Sequence, residues 1–121
     1  MYVKFAELPV FDQERAKAFY TDRLGCRVTA DAPMGDDGWR WIELGLPGAT
    51  TTLHFNRRPD EKPSEEPVMV LVVENVGATV ESLRDKGVEI TTEPQEAPWQ
   101  PGTTVAEFRD SEGNHMVLSS G

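Results

Sequence analysis

The chain has 121 residues, 38% of them apolar and 27% charged, the make-up of one small packed domain and too apolar for a disordered segment. Its 21 acidic and 12 basic residues leave a formal net charge of −9. That sign repels phosphate backbones and anionic headgroups, so neither nucleic acid nor membrane is expected as a partner.

No apolar run approaches the roughly 18–20 residues needed to span a bilayer. The opening Met1-Tyr2-Val3-Lys4-Phe5-Ala6-Glu7 carries charges where a signal peptide needs an apolar stretch. A cytoplasmic protein is expected. Cys26 is the only cysteine, so an intrachain disulfide and a Cys-rich zinc site are both ruled out.

Phe5 to Val10 reads as a strand, after which Asp12 can cap a helix carrying Ala16, Phe19, Tyr20 and Leu24 at helical spacing. Gly25 stops that helix, and three strand-like stretches follow near 26–31, 38–45 and 50–56. The turns Pro33-Met34-Gly35-Asp36-Asp37 and Pro47-Gly48 separate them. A polar, aperiodic stretch at 58–66, with prolines at Pro59 and Pro63, reads as a linker.

The pattern then recurs at an offset of about 62 residues. Val68 to Val73 is an apolar strand, Asn75 can cap a helix with Val76, Val80 and Leu83, and Gly87 stops it. Strands are expected near 88–92, 103–109 and 114–119, with Ser111-Glu112-Gly113-Asn114 as a turn and 93–102 as a proline-stiffened loop. The fold class is therefore α+β, built from two tandem βαβββ modules, the first at about 1–57 and the second at about 67–121.

Two segments make the sequence resemble the vicinal oxygen chelate superfamily, the glyoxalase, bleomycin resistance protein and extradiol dioxygenase group. One runs from Asp12 through Phe19-Tyr20 to Leu24-Gly25. The other is Phe108-Arg109-Asp110-Ser111-Glu112-Gly113-Asn114, similar to the family's Asp-Pro-Asp-Gly-Asn hairpin with Ser111 in place of proline. The resemblance covers about Val3 to Ser119 and specifies a scaffold, not a reaction. It implies mostly antiparallel sheets curled around a cleft, with the helices outside. It also implies that metal enzymes of the group draw His and Glu ligands from the first and last strands of each module. Those positions fall here on Phe5, His54, Val68 and Val117, and three of the four are apolar. No metal or other cofactor is expected at the ordinary site.

Alternation along the strands places Phe5, Glu7, Thr52, His54, Val68, Val70, His115 and Val117 on the cleft face. Ala6, Leu8, Leu53, Phe55, Met69, Leu71, Met116 and Leu118 then face the helices. His54, Glu7 and His115 are the candidate catalytic groups, and a displaced divalent metal site using all three is the alternative to a metal-free cleft. Trp39 and Trp41 share a face and can wall a pocket for a flat ligand; Trp99 is expected at its rim. Asp36, Asp37, Arg57 and Arg58 read as solvated turn and linker charges.

The expected ligand-binding set is Phe5, Glu7, Trp39, Trp41, Thr52, His54, Val68, Trp99 and His115. Three functions stand: a binding protein holding an apolar or aromatic small molecule, an enzyme of isomerase, lyase or dioxygenase type, or a regulatory domain that binds a partner through its sheet edges. Catalysis itself is left open. A homodimer is expected because paired modules leave sheet edges that gain from closure, and because relatives of this size dimerise.

Overall fold

In the computed structural model, which describes residues 1–121, ten elements follow the repeat. The first half holds β1 (Phe5–Val10), α1 (Gln13–Leu24), β2 (Arg27–Pro33), β3 (Arg40–Gly45) and β4 (Thr52–Arg57). The second holds β5 (Pro67–Val72), α2 (Val76–Asp85), β6 (Ile90–Ala97), β7 (Gln100–Arg109) and β8 (His115–Ser119). Each half has its own four-stranded mixed sheet, in the orders β1-β4-β3-β2 and β5-β8-β7-β6. The parallel pairs are β1 with β4 and β5 with β8; the other pairs are antiparallel. The chain is thus α+β with two tandem βαβββ modules. Its contacts divide into two units, Met1–Glu61 and Lys62–Gly121.

Local chemistry explains both helix starts. The Asp12 carboxylate accepts from the Arg15 amide and the Asn75 side-chain oxygen accepts from the Ala78 amide, each satisfying an amide that the first turn cannot. Gly25 ends α1 in the left-handed region at φ 71°, where a β-carbon would be strained. α1 is then tied to β3 by the side chain of Gln13. Its amide nitrogen donates to the Arg40 carbonyl at 2.6 Å, and its oxygen accepts from the Arg40 amide at 2.9 Å. That clasp fixes the backbone between Trp39 and Trp41. Arg40 itself pairs with Asp31 and Glu14.

In the first unit, Leu8, Val10, Ile42, Leu44, Leu53 and Phe55 are buried, as are Ala16, Phe19 and Tyr20 of α1. The Phe55 and Tyr20 rings lie 6.4 Å apart. In the second, Val76, Val80 and Leu83 of α2 are buried, along with Phe108, Met116 and Leu118.

Three departures from the sequence reading have physical causes. The segment 93–102 is not a loop: β6 runs to Ala97, β7 starts at Gln100, and those residues pair across a two-residue connection. Pro94 is tolerated because β6 is an edge strand with several register shifts, Pro98 lies in the connection, and Pro101 stands at the start of β7, before the residues that pair with β8. Val68 sits at a bulge, since the ladder shifts between Pro67 and Met69, and Pro67 has no amide to donate. Finally, the 58–66 stretch is anchored at its end. The Ser64 amide donates to the Gly113 carbonyl, the Ser64 hydroxyl accepts from the His115 amide, and Arg109 donates to the Ser64 carbonyl. Gly113 is required there twice over, by φ 77° and by Pro63 Cα, 3.2 Å from where a β-carbon would stand.

Candidate ligand site

Strand alternation and register together build the site on the first sheet. Glu7 lies opposite His54 across the parallel β1–β4 pair, and Glu43 lies opposite His54 across the antiparallel β3–β4 pair. Phe5, Glu7, Trp41, Glu43, Thr52 and His54 therefore share the face turned away from α1. Five of these six were legible as candidates. Glu43 was missed, although its place two residues after Trp41 carries the same alternation signal.

The two carboxylates act differently. Glu7, with a side chain 47% exposed, meets His54 Nδ1 at 2.9 Å. Glu43 accepts from the Trp41 indole N–H at 2.9 Å and from the Thr52 hydroxyl at 3.1 Å. Trp41 is thereby held over the imidazole, with ring centroids 3.9 Å apart and an interplanar angle of 32°. Phe5 completes the aromatic group, 5.1 Å from His54 and edge-on to Trp41 at 5.7 Å. The His54 side chain is 10% exposed, and its Nε2 is buried without a hydrogen-bond partner.

Beside this group lies a pocket of about 310 Å³ lined by Met34, Asp37, Trp39, His54, Phe55, Asn56 and Arg57. Its volume is at the small end of the range for small-molecule sites. Trp39 precedes β3, and the Arg57 guanidinium covers its indole at 4.6 Å. Asp37 locks the arrangement by accepting from the Trp39 amide at 3.0 Å and from Arg57 Nη1 at 3.0 Å. These bonds hold the Asp37 carboxyl below its ordinary value, the Trp39 amide contributing most. Asp37 and Arg57 thus wall the pocket. Both side chains stay more than half exposed, in keeping with the sequence reading as solvated charges; what that reading did not contain is their ion pair, which joins residues 20 apart.

The second unit carries its own His–Glu pair. His115 Nε2 stands 3.0 Å from Glu107, off the line of a hydrogen bond, and both His115 ring nitrogens lack hydrogen-bond partners. The Thr92 hydroxyl donates to Glu107 at 2.7 Å. That bond, followed by the neighbouring His115, holds the Glu107 carboxyl below the usual carboxylate range despite partial burial. A carboxylate with a depressed folded-state pKa adds stability above its unfolded-state value, and loses it as pH falls through the folded value. In urea titrations, the stability gap between wild type and Glu107→Gln is therefore expected to be full at neutral pH. It should shrink as pH drops below the ordinary glutamate range; a constant gap would remove this linkage. Trp99 stands at the β6–β7 hairpin tip, 70% exposed, and Val68 is half-buried at its bulge.

The donor sets do not fit a metal of the ordinary kind. Glu7 and His54 come together in the first unit and Glu107 and His115 in the second, and within neither unit do three His, Cys, Asp or Glu side chains converge. Zinc and non-haem iron sites take three or more such protein ligands. Cys26 adds nothing, since burial pushes its thiol up to about 11.

Comparison with known proteins places this geometry in context. YetH, an uncharacterised protein of Bacillus subtilis (strain 168), is 36% identical over 111 residues, covering 90% of this chain and 89% of its own. The crystal structure of UcmS2 superposes with a TM-score of 0.83 at 33% identity, covering 100% of this chain and 98% of that one. TnmS3, an antibiotic binding protein from Streptomyces sp. CB03234, gives 0.79 at 31% identity, covering 98% and 93%. Residues 3–118 match the family described as Glyoxalase/Bleomycin resistance protein/Dioxygenase superfamily, and the chain belongs to that superfamily.

Proposed function

We propose that this protein is a metal-free binding protein that holds a flat, apolar or aromatic small molecule against the His54 face of its first sheet. One observation carries the reading: Trp41, Phe5 and His54 form an aromatic wall next to a pocket bounded by Trp39. Such walls hold planar ligands through area and ring geometry rather than through reaction chemistry. The likeness to TnmS3, itself an antibiotic binding protein, supports an antibiotic as the ligand. The protein would work in the cytoplasm as a homodimer.

The test is tryptophan fluorescence quenching and thermal shift against a panel of aromatic antibiotics, with mass spectrometry of the recovered compound. A bound compound returned unchanged is expected, with about 2.7 kcal/mol of added stability at a hundredfold excess over Kd. No response across the panel would sink the reading. The Glu7–His54 contact at 2.9 Å favours a second reading, an enzyme using that pair for proton transfer. Conversion of the compound, lost in both Glu7→Gln and His54→Gln, would establish it instead.

A further inference from the structure

We infer that His54 Nε2 is a hydrogen-bond acceptor that selects ligands carrying a phenolic O–H or an aromatic N–H; the inference rests on the binding role proposed above. An ionised carboxylate can only accept, so Glu7 at 2.9 Å from Nδ1 keeps the proton of a neutral His54 on that nitrogen. Nε2 is then left with a lone pair. The two ring nitrogens point apart at a wide angle, so Nε2 faces away from the Glu7 carboxylate that meets Nδ1. Trp41 packs over the ring and Phe5 stands beside it, and the Glu7 contact at Nδ1 fixes its orientation. Nothing in the protein satisfies this atom, although it is buried.

A buried acceptor left unpaired is costly, so a ligand whose donor reaches Nε2 by parting the side chains that cover it is favoured over an isostere that brings no donor. The pocket that His54 borders has room for a small ring system, and the neighbouring Trp41 offers an indole face. The ligand class is therefore a planar aromatic with one donor on its rim.

The experiment uses the full chain with 2-naphthol and its methyl ether, 2-methoxynaphthalene, as matched probes. 2-Naphthol is expected to bind at least about tenfold more tightly to wild type, and the preference should vanish in His54→Phe. In Glu7→Leu, whose substituted side chain is half-exposed, the preference should weaken because the tautomer is no longer held. Nitrogen-15 NMR of labelled histidine should find the proton of His54 on Nδ1 at neutral pH. Equal affinity for the two probes, or a preference surviving in His54→Phe, would overturn the acceptor role while leaving aromatic binding intact. A proton on Nε2 would overturn it as well. Binding of neither probe would overturn both this inference and the reading on which it rests.

Discussion

Replacing Phe55 with alanine is expected to lower the unfolding free energy by about 3–5 kcal/mol, the range for truncating a fully buried aromatic ring. Phe55 is 0% exposed, stands opposite Leu8 in the β1–β4 ladder, and places its ring 6.4 Å from that of Tyr20. Small domains have about 5–15 kcal/mol in total, so this one change would consume much of the margin. Phe55 also follows His54 on β4, so the cavity would open directly beneath the site face. Phe55→Leu, which keeps most of the volume, should cost less. Trp99→Ala should stay within about 0.5 kcal/mol, because its side chain stands largely in water. Urea unfolding followed by circular dichroism separates the three. A loss below about 1 kcal/mol for Phe55→Ala would contradict the packing of α1 on the first sheet.

Removing Trp41 is expected to weaken binding of an aromatic ligand by about tenfold or more, through loss of both its own stacking surface and its hold on His54. The indole does two things: it lies 3.9 Å from the imidazole, and its N–H donates to Glu43. Trp41→Phe separates them, keeping a ring over His54 while leaving Glu43 with Thr52 as its side-chain donor. A small loss for phenylalanine and a large one for alanine is the expected order. Equal losses would instead make the indole–Glu43 bond the important element. Titration by fluorescence remains usable in both variants, because Trp39 lines the pocket. Unchanged affinity in Trp41→Ala would remove this face from the binding site.

Much of this site was legible before any coordinates. Strand alternation alone put Phe5, Glu7, Thr52 and His54 on one face, and the structure keeps them there. Trp41 joins them on that face, its ring 3.9 Å from that of His54, while the pocket itself is lined by Trp39. The missed residues were Glu43, Asp37 and Arg57, whose roles depend on who stands opposite. Glu43 matters because the β3–β4 register brings it beside Thr52 and His54, and register between strands is a tertiary property. Asp37 and Arg57 look like ordinary surface charges until the turn before β3 folds back on the end of β4. The hairpin at 93–102 was misread because prolines and polar residues outweigh a weak alternation when edge position is unknown.

The sequence by itself determined the two-module α+β architecture, because its caps, glycine stops and apolar periods are local signals repeated at one offset. It also determined which side chains share a strand face, since side chains alternate along any strand. Only the tertiary structure decided that Glu7 rather than Glu43 meets His54, and that His54 Nε2 is left buried and unpaired. Those facts turn on distances of about 3 Å between residues far apart in the chain, which depend on register and rotamer rather than on local pattern.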